Sequence, residues 1–77
     1  MKETLEVLIK NLVDNQSAVE ITEKEDKQIT TYEVKVASKD MGKVIGKQGK
    51  MAKAIRSVMK AVAGKEHKKV NVEFLDN

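Results

Sequence analysis

The stretch MGKVIGKQGKMAKAI, residues Met41 to Ile55, decides how the chain folds. Most of its residues favour helix, yet Gly46 and Gly49 interrupt it around Lys47 and Gln48. Two glycines let the main chain turn sharply with no Cβ penalty. They also let a ligand's backbone approach closely. The spacing therefore predicts two helices with a gap, not one helix. The first runs to about Ile45, with Ser38 placed to cap it and Asp40 in its first turn. The second runs from about Lys50 to Ala63, with Gly64 as its stop.

At about 100° per residue, Ala52, Ile55, Val58, Met59 and Val62 of the second helix share one arc. Lys50, Lys53, Arg56 and Lys60 occupy the opposite arc. This predicts a core-facing stripe backed by a row of cations that begins at the glycine step. Upstream, KETLEVLIKNLVDN places Leu5, Leu8, Ile9 and Leu12 at helical spacing, with Val13 extending the stripe until Asn15 and Gln16 end it. SAVEITEKE alternates, with Val19 and Ile21 on one side. ITTYEVKVA alternates strictly, with Tyr32, Val34 and Val36 on one face. The polar KEDKQ between them predicts an antiparallel hairpin. KKVNVEFL alternates again, with Val70, Val72 and Phe74 on one face, and predicts a last strand. The expected class is α+β in the order α-β-β-α-α-β, a three-stranded sheet packed on one side by three helices. Residues 1–77 are expected to form a single domain.

Four phosphate-binding templates can be compared with the glycine step. A P-loop needs G-x-x-x-x-G-K-[ST], but position 41 is Met and Lys47 precedes Gln48. A dinucleotide fingerprint needs G-x-G-x-x-G, which Gly42, Gly46 and Gly49 do not match. A helix-turn-helix would make residues 50–63 a DNA-reading helix. That helix's apolar stripe needs a sheet over it, however, and its exposed face lacks Asn or Gln to read base edges. A G-x-x-G loop between two helices that clamps a nucleic-acid backbone fits best. The following helix start offers unpaired N–H groups and a positive dipole end, with Lys47 and Lys50 beside it.

The wider VIGKQGKMAKAI resembles the core motif of KH domains: an apolar pair, G-x-x-G, then an apolar-spaced helix. The element order resembles the type II KH fold over essentially the whole chain. It looks closest to the small bacterial single-KH-domain RNA-binding proteins of the KhpA type. The resemblance implies that Gly46, Lys47, Gln48 and Gly49 form the clamp for about four nucleotides of single-stranded RNA. Val44 or Ile45 would line an apolar groove under the bases, with Lys50 and Lys53 near phosphates and Val36 a weaker groove candidate. Ala52 departs from the branched residue many KH motifs carry there, which would make the groove floor shallower. The resemblance also implies a homodimer, or a heterodimer with a larger KH-domain protein, as an alternative role. Any further RNA-binding domain would then come in trans.

Charge agrees with a polyanionic partner. Residues 1–26 carry three Lys against seven Asp or Glu, while residues 39–69 carry nine Lys and one Arg against Asp40 and Glu66. The few aromatics argue against a stacking-based reader, and Tyr32 and Phe74 are expected in the core. Enzyme chemistry finds no foothold. Cysteine is absent, and the lone His67 lies in a polar loop without a paired carboxylate. No cofactor, metal or small-molecule substrate is expected. No apolar run is long enough for a signal-peptide core or a membrane span, so a soluble, cytoplasmic protein is expected. Gly42, inside the first short helix, should cost about 1 kcal/mol relative to Ala and marks either a close contact or local tolerance.

Overall fold

The alternating run around Tyr32 is the central strand of a three-stranded mixed sheet. In the computed structural model, which describes residues 1–75, the elements are α1 (Lys2–Leu12), β1 (Glu20–Asp26), β2 (Ile29–Lys35), α2 (Met41–Ile45), α3 (Lys50–Lys65) and β3 (Lys69–Leu75). The sheet order is β1-β2-β3. β1 pairs antiparallel with β2, from Glu20 opposite Lys35 to Asp26 opposite Ile29. The two-residue turn Lys27–Gln28 has φ of 49° and 72°, as a type I′ hairpin requires. β3 lies parallel to β2, from Ile29 opposite Lys69 to Lys35 opposite Leu75. Parallel neighbours need a crossover, and α2 and α3 supply it.

One face of the sheet is covered by the helices. Tyr32, Val34 and Val36 of the β2 segment meet Leu5 and Ile9 of α1, Val44 of α2, Ile55 and Met59 of α3, and Val72 of β3. Each such side chain contributes about 1.5–3 kcal/mol when fully buried. Burial pushes the Tyr32 phenol above its ordinary range, and Glu23, its cross-strand neighbour and hydrogen-bond partner, pushes it further. This is the expected α-β-β-α-α-β order of a KH fold.

Five local expectations are corrected. α1 ends at Leu12, because Val13 turns extended (φ −101°, ψ 153°) to bury its side chain. Residues 16–18 form a 3₁₀ turn, so β1 starts at Glu20 and not at Ser17. Ser38 makes no capping hydrogen bond and is exposed at the start of a 3₁₀ turn, Ser38–Asp40. Gly64 does not stop α3, which continues to Lys65. The left-handed residue there is His67 (φ 57°); its N–H donates to Gly64 O (3.1 Å) while Lys68 N–H donates to Ala63 O (2.9 Å), the Schellman arrangement. Finally, the buried arc of α3 is Ala52, Ile55, Met59 and Ala63, leaving Val58 42% exposed. Val58 lies beside Leu8 and Leu12 of α1 rather than in the core.

Candidate nucleic-acid interface

α2 has five residues, too few to hold a helix alone. Two things anchor it. Val44 is fully buried in the core. Asp40, only 1% exposed, accepts a hydrogen bond from the Asn15 N–H (3.0 Å) at the end of the α1 connection. Its other oxygen, Oδ1, has no hydrogen bond among the described residues and faces Lys43 Nζ at 3.7 Å. Lys43 in turn bonds the Asp14 carboxylate. The Asn15 amide holds the Asp40 carboxyl below its usual range against the opposing effect of burial, and Lys43 adds to this. Asp14 likewise holds Lys43 above the ordinary lysine range. So Asp40 is a latch between α2 and the α1 turn, and Lys43 spends its charge internally.

The glycine step follows directly. Gly46 N–H donates to Gly42 O (2.8 Å) and closes α2. Gly46 then takes φ 75°, ψ 177°, and Lys47–Gly49 form a 3₁₀ turn closed by Gly49 N–H on Gly46 O (3.3 Å). Gln48 (φ 57°) and Gly49 (φ 75°, ψ 12°) are both left-handed. Three of the four loop residues thus have positive φ, which carries a strain cost at Gln48.

The two glycines differ in what surrounds them. A Cβ at Gly46 would lie 2.7 Å from Met51 Cβ and 2.9 Å from Met51 N, so this glycine lets the loop pack on the first turn of α3. A Cβ at Gly49 would meet nothing within 4 Å. It leaves a bare stretch of main chain at the surface. α3 starts immediately after, with no acidic residue and no side-chain cap in its first turn. Lys47, Lys50 and Lys53 are exposed beside it and have no ion-pair partner among the described residues. Bare backbone, a positive helix end and free ammonium groups together form a surface suited to a phosphodiester.

The expected site residues therefore separate. Gly46, Lys47, Gln48, Gly49, Lys50 and Lys53 cluster at the surface. Val44 and Val36 are fully buried and have no surface to offer a ligand, so of the apolar pair only the half-buried Ile45 does. Ala52 is buried too. Arg56 is not free in its row. Its Nε donates to Val72 O (3.1 Å) on the outer edge of β3, and its guanidinium sits 5.5 Å from the centre of the Phe74 ring. Phe74 is accordingly half-buried and not fully in the core. A cleft of about 340 Å³ opens here between α3 and β3, lined by Arg56, Ser57, Lys60 and residues 70–73. Helical spacing could not show it, because it depends on β3 returning antiparallel along α3. Gly42 is exposed, and a Cβ there would meet nothing within 4 Å among the described residues, so no contact among them requires it. Among the described residues no group of three or more His, Cys, Asp or Glu could hold a metal, and no helix is long and apolar enough to cross a membrane.

Comparison with known proteins extends the picture. The family model described as "KhpA/KhpB, KH domain" matches residues 2–74. The chain is 53% identical to the RNA-binding protein KhpA of Clostridium acetobutylicum, over 97% of this chain and all of that one. It is 52% identical to its namesake in Clostridium perfringens over the same shares. The Listeria monocytogenes protein of that name is 43% identical, over 99% of this chain and all of its own. No solved structure matches the chain significantly.

Proposed function

Because the chain belongs to the KhpA/KhpB KH-domain family, we propose that it binds RNA, clamping about four nucleotides of a single strand at the Gly46–Gly49 loop. The observation that carries this is the open space at Gly49, flanked by Lys47 and Lys50 at the uncapped start of α3. The sugar–phosphate backbone lies against the bare loop. Ammonium groups neutralise its charge, and Ile45 offers apolar surface to a base. Little in this arrangement reads base edges, so sequence preference is weak, as suits an RNA chaperone or post-transcriptional regulator of the type II KH kind. The whole chain acts as one KH domain in the cytoplasm. The family is not an enzymatic one.

About three to five phosphate contacts give a log–log salt slope near −2 to −4 for single strands. Lys47→Asp combined with Gln48→Asp tests the site. Asp tolerates the left-handed conformation at position 48, so the fold should survive while two carboxylates repel the backbone. Unchanged RNA affinity in the folded double variant would exclude the loop as the clamp.

A second reading, a dimerisation module acting with itself or with a larger KH-containing protein, is favoured by one feature. Leu8, Asn11, Leu12, Met51, Ala54, Ile55 and Val58 line a largely apolar groove of about 210 Å³ between α1 and α3. Nearby Val7 is 59% exposed. Exposed apolar surface of this kind marks interaction sites. Val58→Glu would abolish self-association in sedimentation while sparing the loop.

A further inference from the structure

Among the described residues, four other than glycine have positive φ, and they fall at two places. Gln48 is in the clamp. Lys27, Gln28 and His67 are in the two turns at the other end of α3. These turns are joined, since Lys69 N–H donates to Gln28 O at 3.2 Å. Between them lies a cleft of about 450 Å³ lined by Lys27, Gln28, Ile29, His67, Lys68 and Lys69. Three of the six lining residues are lysines, and none is a carboxylate. Lys68 reaches Glu25 at 3.8 Å, an exposed pair of little strength. Lys27 and Lys69 have no ion-pair partner among the described residues. Ile29, 39% exposed, gives the cleft an apolar patch among the cations. Surface lysines serving only solubility need no cleft and no apolar floor. Cations around an apolar floor and an imidazole suit a nucleotide, with phosphate on the lysines and the base over Ile29 and His67.

The place of this cleft matters as much as its lining. α3 has sixteen residues, about 24 Å at 1.5 Å each, so the cleft lies a helix length from the clamp. Lys53, Arg56 and Lys60 mark the way, and the α3/β3 cleft containing Arg56 and Lys60 lies between the two ends. We infer that the turn-end cleft is a second nucleic-acid subsite, which holds later nucleotides of the same single strand that the Gly46–Gly49 loop clamps. The inference rests on the clamp reading. The protein then binds a footprint well beyond four nucleotides, and the two subsites reinforce each other through the strand that links them.

The test uses the full chain with a four-nucleotide and a twelve-nucleotide RNA of mixed sequence, followed by chemical-shift titration and fluorescence anisotropy respectively. Lys27→Ala with Lys69→Ala removes two exposed cations, and thermal melting checks that the fold is kept. With about 0.7 of salt slope per single-strand phosphate contact, the twelve-mer should lose about 1.4 of slope. In 0.1 M salt its affinity should fall by up to about 25-fold, the same 1.4 logarithmic units taken from 1 M. The four-mer should bind the double variant as it binds the parent. An unaffected twelve-mer would overturn the subsite. Equal weakening of both RNAs would overturn its separateness from the clamp. Two four-mers bound per chain, with no gain for the twelve-mer, would overturn the single-strand path. If the parent bound neither RNA, the clamp reading itself would fail, a result distinct from any of these.

Discussion

Consider alanine placed in turn at Gly46 and Gly49. At Gly46 the conformation, φ 75° with ψ 177°, is essentially open to glycine alone and costs about 1–3 kcal/mol for a side chain. The new methyl also overlaps Met51, at 2.7 Å from its Cβ and 2.9 Å from its amide nitrogen. The amide belongs to the first turn of α3 and yields only if the helix start moves, adding about 1–3 kcal/mol. The sum, about 2–6 kcal/mol, is comparable with the whole stability of a domain this size, about 0.05–0.15 kcal/mol per residue. At Gly49 the methyl meets no atom of the described residues within 4 Å, and only the left-handed φ is penalised, by about 1–2 kcal/mol. Thermal melting should therefore place Gly49→Ala about 5–15 °C below the parent, at about 4–8 °C per kcal/mol, and Gly46→Ala far lower or unfolded. Measured well below its midpoint, Gly49→Ala should still bind single-stranded RNA at least about tenfold more weakly, or ~1.4 kcal/mol, because the methyl stands where the strand must approach. The reasoning fails if the two variants melt alike. It fails equally if folded Gly49→Ala binds RNA as the parent does.

Other outcomes follow from the same geometry. Gly42→Ala should raise stability by about 1 kcal/mol in a denaturant titration, since its methyl meets nothing and its φ is not left-handed. Lys47→Ala should reduce the RNA salt slope by about 0.7, whereas Lys43→Ala should leave the slope unchanged and lower the melting temperature instead, because Lys43 is committed to Asp14 and Asp40. Asp40 sets an acid limit on stability. Its folded-state pKa is depressed, so the unfolded chain takes up the proton first. The contribution is present in full above the unfolded value, near 3.9, and is lost as pH falls through the lower folded value. Acid titration of unfolding in Asp40→Asn should show a flatter limb in that range.

The sheet and the helix pair were legible because their patterns are local. Strict alternation through Tyr32, Val34 and Val36 fixed β2, and the Gly46–Gly49 step fixed the break between α2 and α3. What was missed depends on the third dimension. Val58 fits the helical stripe by angle, but α1 and the sheet together cover an arc centred nearer Met59, and Ala63 replaces it. Gly64 looked like a stop because glycine favours left-handed caps, yet His67 takes that conformation so that Lys69 can begin β3 beside Ile29. Asp40 looked like a first-turn acid. Its partner, the Asn15 amide, is 25 residues away in sequence, a distance no local pattern spans. Arg56 appeared as one more surface cation until β3 placed Val72 O against it.

Where the strand of RNA touches the chain is the most direct test of the account. Ultraviolet crosslinking of the protein to single-stranded RNA, followed by mass spectrometry of the joined peptides, reads it residue by residue. The account predicts that the main crosslinks fall between Ile45 and Lys53, centred on the Gly46–Gly49 loop. Crosslinks confined to the α1/α3 groove around Leu8 and Val58, with the loop untouched, would contradict it.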